Sequence, residues 1–423
     1  MSRPVIGFAG MTHLGLVSGV CAAEKGFRVV CFDPGAERIA ALGRGELPVS
    51  EPRLDQLVVK NGERLRFTCE PSSLRECDVV YVAPDVPTDE AGQSDLGPID
   101  ALLERVFAAA RTDAVIVVLS QVPPGYTRSK QRERRPLYYQ VETLIFGRAV
   151  ERALQPERYI VGCADPGRPL PAAYRAFLEM HGCPLLPMRY ESAELAKISI
   201  NMFLVASVST ANTLAELCEA TGADWAEIVP ALRLDRRIGQ HAYLSPGLGI
   251  AGGNLERDLA TVIRFADERG CDAGVVRAWL ANSRHRRDWA LRVLHQRTLS
   301  QARDPVLAVL GLAYKADTNS TKNSPALALL AHLRSFRVRL YDPVVAPAEA
   351  GHPRAHAAGS ELEACEGADA LIVMTPWPQF AALDARAIAA RLRGKLVLDP
   401  YAILKDSECR AAGLEYHRLG APV

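Results

Sequence analysis

Val29-Val-Cys-Phe32-Asp33-Pro34 and, far downstream, Val338-Arg-Leu-Tyr341-Asp342-Pro343 are one pattern written twice. Each apolar run closes on an acidic residue followed by proline. Each is preceded by a strand that ends in glycine, Val5–Gly10 in one case and Val306–Gly311 in the other, and by a helix-length segment. A second matched strand follows, Cys77-Asp-Val-Val-Tyr-Val-Ala-Pro84 against Ala368-Asp-Ala-Leu-Ile-Val-Met-Thr-Pro376. A strand ending in a carboxylate, one βαβ unit after a Gly turn, is how a parallel sheet presents an acceptor to a ribose. Its repetition predicts two nucleotide-binding halves and two nucleotide-like ligands.

Working outward, the segments from residue 1 to about 187 alternate short apolar runs with amphipathic stretches. The runs are Val5–Phe8, Phe27–Phe32, Val79–Ala83, Val115–Leu119, Tyr159–Cys163 and Pro184–Leu186. Such alternation predicts an α/β, doubly wound and largely parallel sheet. From about Glu191 to Ala220 glycine and proline nearly vanish, which predicts one long helix. Helical sequence continues to about 297, interrupted by the Gly-rich stretch Ser245–Asn254, and strand-helix alternation resumes from Val306 to Leu398. The expected organisation is therefore a dinucleotide-binding domain over 1–187, a helical and dimerising segment over 188–297, and a second Rossmann-like domain over 298–423. Ser324-Pro325 supplies a cap residue and then proline at the first helical position.

Composition narrows the partners. The chain has 423 residues, 48% hydrophobic and 23% charged, with a net charge of +1. That is a globular composition, and the near-zero charge gives no reason to expect nucleic acid or an anionic membrane. The basic run Arg128, Lys130, Arg132, Arg134 and Arg135 reads as a solvated loop. No uninterrupted apolar stretch reaches the roughly 20 residues that span a bilayer, and no signal peptide is visible ahead of Val5. Ten cysteines are scattered without close pairs, as expected of buried thiols in a reducing cytoplasm rather than disulfides or a metal site.

Three stretches carry chemistry. The first is Gly7-Phe-Ala-Gly10-Met-Thr12-His-Leu14-Gly15, a G-x-T-x-x-G loop in which Thr12 stands where a dinucleotide fingerprint has its second glycine. Placed between a strand and a helix, with Asp33 about 20 residues on, the loop predicts a dinucleotide. Asp33 would accept from the ribose hydroxyls, and a 2′-phosphate at roughly 4 Å would cost about 4 kcal/mol of repulsion. NAD is preferred to NADP on that ground. The second is Lys197 and Asn201, four apart and so on one helix face. They could hold an alcohol and take its proton, or Lys197 could form an ordinary surface pair with Glu194. The third is Pro246-Gly-Leu-Gly249-Ile-Ala-Gly252-Gly253-Asn254-Leu-Glu-Arg-Asp258, whose glycines let backbone approach a ligand. Asn254 could cap the following helix, and Asp258 could be a first-turn charge or an acid in the site.

Together these residues resemble the UDP-glucose/GDP-mannose dehydrogenase family, NAD-dependent enzymes that oxidise C6 of a nucleotide-linked sugar. The resemblance runs in order from about residue 4 to about 405. It implies an NAD-binding first domain, a central helix that forms a homodimer, and a last domain that holds the nucleotide of the sugar. It further implies a catalytic Lys-x-x-x-Asn at Lys197 and Asn201, and a catalytic Glu142 in Gln140-Val-Glu142-Thr-Leu. By the same resemblance Arg237, in Asp235-Arg-Arg237-Ile-Gly239, reaches the neighbouring subunit's sugar. Lys315, in Gly311-Leu-Ala-Tyr-Lys315, and Gly252 contact substrate.

The departures from the family pattern are as informative. Its nucleophilic Cys falls on Asn254, while its closing Asp is kept as Asp258. Its Ser-Thr-Val-Pro turn becomes Ser120-Gln121-Val-Pro123, and its second Glu after Glu142 falls on Phe146. A cofactor-contacting Arg becomes Lys322, and a late Asp-Gly-Arg becomes Asp399-Pro-Tyr401. An amide cannot supply the thiolate that captures the aldehyde for a second oxidation. The resulting expectation is an NAD-dependent dehydrogenase acting on a UDP- or GDP-linked sugar, with the Cys-dependent step lost or replaced. An epimerase working by transient oxidation and a non-catalytic nucleotide-sugar binding protein are the alternatives.

Overall fold

The structure is a computed structural model, and it describes residues 3–87, 89 and 94–422, the side chain of residue 254 excepted. The chain divides into two compact units, Met1–Ile200 and Asn201–Val423, with the boundary inside a long helix.

In the first unit eight strands form one sheet: β1 (Ile6–Ala9), β2 (Val29–Phe32), β3 (Leu65–Thr68), β4 (Val79–Val82), β5 (Val115–Val118), β6 (Leu137–Gln140), β7 (Tyr159–Cys163) and β8 (Leu185–Arg189). Their order is β3-β2-β1-β4-β5-β6-β7-β8. The six strands from β3 to β6 run parallel, and β7 turns antiparallel to β6. The four strands β1, β2, β4 and β5 are buried at every residue, as their unbroken Val/Ile/Phe runs require when helices cover both faces. Two strands escaped the sequence pattern. β3 reads Leu-Arg-Phe-Thr at the sheet edge, and β6 follows directly on the basic run.

That run is exposed for most of its length, yet its charge is used locally. Arg128 pairs with Glu191 at 2.9 Å, Arg132 with Glu104, and Arg135 donates to the carbonyls of Phe107, Ala110 and Arg111.

The second unit contains a six-stranded, wholly parallel sheet of β9 (Val306–Leu310), β10 (Arg337–Tyr341), β11 (Ala355–Ala357), β12 (Ala370–Val373), β13 (Leu396–Leu398) and β14 (Glu415–His417). Its order, β11-β10-β9-β12-β13-β14, repeats that of the first six strands of the other sheet. The two matched sequence stretches thus occupy matched places, first strand at the centre and the Asp-Pro strand beside it. Ser324 caps the helix Pro325–His332, accepting from the Ala326 amide at 3.2 Å.

The long helix, Tyr190–Thr221, spans about 48 Å. By length and composition it could cross a membrane, although its first turns carry Glu191, Glu194 and Lys197. Helices Trp225–Leu234, Asn254–Arg269 and Gly274–Arg287 follow it. All ten cysteines are free, and Cys271 is the exposed one. Burial pushes the Cys21, Cys77 and Cys365 thiols up to about 12.

Candidate active site

The dinucleotide loop lies between β1 and the helix His13–Glu24. Gly10 has φ +96°, and a Cβ there would stand 2.8 Å from the Pro84 nitrogen. A Cβ on Gly15 would stand 1.9 Å from the Gly10 carbonyl oxygen, so helix and strand approach as closely as backbone allows. Thr12 precedes the helix as its cap residue and accepts from the Leu16 amide through its carbonyl at 3.0 Å, but its side chain turns away, Oγ1 accepting from the Asp85 amide at 2.8 Å. Leu14 is buried. Gly10, Thr12, Leu14 and Gly15 are therefore together, in a cradle a Cβ would fill.

Asp33, at the end of β2, is 2% exposed. Its Oδ2 accepts from the Met11 amide and from Arg38, both at 2.8 Å, and its Oδ1 from the Gly35 amide at 2.9 Å. One acceptor position remains on Oδ1 for a ribose hydroxyl. Arg38 was not foreseen. A lone surface arginine leaves no trace in a sequence, yet it sets a cation beside the carboxylate on which the argument against a 2′-phosphate rested.

Asp342 is the matching residue of the second sheet, and here the expectation needs correcting. Its Oδ2 accepts from the amides of Leu312 and Ala313 and from Trp377 Nε1, at 2.6, 3.1 and 3.1 Å. Its Oδ1 accepts from Val344 and Val345 at 2.9 and 2.8 Å. Five donors saturate the carboxylate, so it ties the Gly311 turn to the end of β10 and has nothing left for a ribose. Burial alone would push the carboxyl up, but the four amides outweigh it and hold it below its ordinary range.

On the long helix, Lys197 Nζ donates to the Glu142 carbonyl at 2.8 Å and stands 3.3 Å from Glu142 Oε2. Both side chains are largely buried, 13% and 17% exposed. Glu194 is not the partner. It is wholly buried and accepts from the Gly125 and Thr127 amides at 2.6 and 2.8 Å; burial pushes its carboxyl up, against the pull of those amides. Ser120 Oγ donates to the Pro84 carbonyl at 2.5 Å, bracing the loop that blocks Gly10 from behind.

Within the second unit, Asn201 Nδ2 donates to Asp258 Oδ2 at 2.5 Å, and Arg257 Nε lies 3.3 Å from Asp258 Oδ1. Asp258 is 1% exposed, and the acid in the first turn of its helix is Glu256. Asn254 opens the helix Asn254–Arg269, and its side chain lies outside the described residues. Gly252 has φ +80°, and a Cβ on it would stand 3.0 Å from the Tyr314 ring. Its amide donates to the Lys322 carbonyl at 3.2 Å, its carbonyl accepts from Asn323 Nδ2 at 2.9 Å, and the Lys322 side chain lies against Gly253. Lys315 Nζ is 5.8 Å from the Tyr314 ring centre. Gly252, Lys315 and Lys322 are thus neighbours. Arg237 is not brought to them: its side chain is 89% exposed and bonded to Asp235. Asp399 is buried under β13, where its Oδ2 accepts from the Leu404 amide and the Tyr416 hydroxyl.

Residues 5–169 match the UDP-glucose/GDP-mannose dehydrogenase family, NAD binding domain; residues 191–284 match its central domain and 308–406 its UDP binding domain. The chain is 32% identical to a UDP-glucose 6-dehydrogenase of Pseudomonas aeruginosa, covering 98% of this chain and 96% of that protein. It is 29% identical to a UDP-glucose 6-dehydrogenase of Bacillus subtilis, covering 99% and 93%. A UDP-glucose dehydrogenase structure from Pyrobaculum islandicum superimposes with a TM-score of 0.84 at 26% identity, over 100% of this chain and 98% of that one.

Proposed function

We propose, for a chain that belongs to the UDP-glucose/GDP-mannose dehydrogenase family, that it oxidises the C6 alcohol of a UDP-linked sugar with NAD and lacks the thiol-dependent second oxidation. The carrying observation is the Lys197–Glu142 pair, a largely buried Lys197 Nζ held by a carbonyl and a carboxylate. The Gly10–Gly15 cradle and Asp33 fit NAD, which supplies the hydride acceptor when bound. A proton leaving the alcohol is taken at Lys197 Nζ, and the ammonium so formed is met by the Glu142 carboxylate. Asn201, one helical turn along, has its amide fixed by Asp258 and presents its carbonyl oxygen to a hydroxyl. Asn254, which the resemblance sets at the family's Cys position, has no thiol with which to form a thioester. The product is the aldehyde, or the acid if the aldehyde hydrate is oxidised without a covalent intermediate.

Gly252, Lys315 and Lys322 are the substrate and cofactor contacts this reading assigns in the second unit. Exposed Leu195, Phe203, Leu214 and Leu217 along the long helix support a homodimer paired through it, with Arg237 serving the partner's sugar. The free thiols suit a cytoplasmic enzyme.

NADH counted against UDP-sugar consumed tests the proposal. Release of one NADH per sugar, or of two where the aldehyde hydrate is also oxidised, with no labelled cysteine in the mass spectrum, is the expected result. Two NADH with a substrate-labelled cysteine overturns the role given to Asn254. Sugar inversion without NADH release marks an epimerase, and no turnover of any nucleotide-sugar marks a binding protein.

A further inference from the structure

No pattern in the sequence marks Glu51, yet its side chain is wholly buried. It sits just ahead of the helix Leu54–Lys60, in a turn where Arg53 takes φ +70°, a conformation that is costly for a residue with a side chain. Glu51 Oε1 lies 2.9 Å from His13 Nε2. A carboxylate only accepts, so Nε2 carries the hydrogen. Both Glu51 oxygens accept from the Gly147 amide, at 3.0 and 3.1 Å, and Oε2 accepts from the Ala149 amide at 3.2 Å. A buried carboxylate is expensive unless its oxygens are bonded, and here three groups from two separate segments bond it.

Those segments are the two that matter. His13 is the first residue of the helix that follows the dinucleotide loop. Gly147 and Ala149 end the loop that starts at β6 and carries Glu142, the partner of Lys197. The junction is doubled by stacking: the His13 and Phe146 rings lie 4.2 Å apart with planes inclined by 18°.

We propose that Glu51 is a positioning residue that sets the cofactor seat and the general base together. Through His13 it holds the start of the dinucleotide helix; through Gly147 and Ala149 it holds the loop that aims Glu142 at Lys197. Seating of the dinucleotide against the helix start is thereby transmitted to the loop, and the Lys197 amine is in place when the cofactor is. The proposal rests on the dehydrogenase reading above.

Glu51→Gln tests it in the full chain, because an amide keeps the volume but offers one oxygen in place of two. Hydrogen exchange of the backbone over 142–149 is followed with and without NAD, alongside NAD affinity, kcat, KM for the UDP-sugar and thermal midpoint. NAD slows exchange across 142–149 in the unaltered protein, and Glu51→Gln abolishes that response. The variant's kcat falls by about tenfold or more, as a misplaced base demands, while KM for the UDP-sugar stays unchanged. Phe146→Leu removes the stack at a half-exposed position and leaves the fold intact; it weakens the same NAD response in part. An unchanged NAD response in both variants, or a loss of kcat that only follows a loss of thermal stability, overturns the proposal. Should the unaltered protein turn over no UDP-sugar, the dehydrogenase reading fails, while the NAD-dependent exchange still judges Glu51.

Discussion

The Asp85 carboxylate accepts the His13 amide at 3.0 Å, at the first turn of the helix that ends the dinucleotide loop. Helix starts favour negative charge, and this one has been given an anion by its own chain. A pyrophosphate arriving there meets a like charge. At about 4 Å and intermediate dielectric the repulsion would be about 4 kcal/mol. Asp85 is exposed, so solvent and salt reduce it to roughly 1 kcal/mol. Asp85→Ala is therefore expected to tighten NAD binding by about fivefold, as titration at low salt would register. Weaker binding would show instead that Asp85 supports the loop.

Cofactor choice turns on Asp33 and Arg38 together. With Asp33 in place NAD binds at least tenfold tighter than NADP, the repulsion at the ribose being only partly relieved by Arg38. Arg38→Ala removes the cation paired with Asp33, which could answer a 2′-phosphate, so the ratio rises further. Equal affinities for the two dinucleotides in the unaltered protein would remove Asp33 from the site.

Lys197→Ala is expected to abolish hydride transfer and leave NAD affinity as it was, since the lysine bonds only to Glu142 among the contacts described. Glu142→Gln keeps the carbonyl contact and loses the charge, so kcat falls while KM for the sugar holds. Stopped-flow absorbance with UDP-sugar in excess separates the two variants. A Lys197→Ala enzyme with normal single-turnover rates would end the base assignment.

Asp342→Asn should destabilise the chain by about 3 kcal/mol in chemical denaturation, because one amide oxygen cannot accept five hydrogens. The sign of its pH dependence follows from the lowered carboxyl. A depressed folded pKa contributes stability that is complete above the unfolded value of about 3.9 and is lost as pH falls through the folded one. The unaltered protein thus weakens steeply below about pH 4, and the variant, already lacking the term, weakens less. NAD binding is untouched in both.

How the sequence relates to these sites depends on what kind of group each residue meets. The doubled Asp-Pro strand foretold the doubled strand order, because a strand's burial on both faces is written in its own residues. It did not foretell that Asp33 keeps an acceptor position while Asp342 has none. The partners of Asp342 are mainly backbone amides, and backbone carries no signature. Helical spacing put Lys197 and Asn201 on one face but could not say what each one bonds. The actual partner of Lys197, Glu142, lies on another element, and neighbouring Glu194 offered a false alternative that its burial and its bonds to the Gly125 and Thr127 amides dismiss. Glu51 was invisible for the same reason: its bonds run to a histidine ring and two amides brought close by the sheet.

The sheltering of the thiols gives the protein a single chemical handle. Cys271 stands at the surface, Cys69 and Cys183 are half covered, and the other seven are buried, several held as reluctant acids. A maleimide dye applied briefly at neutral pH should mark Cys271 first. One probe per chain could then report distances or anchor the enzyme to an electrode surface, without a cysteine being engineered in or out.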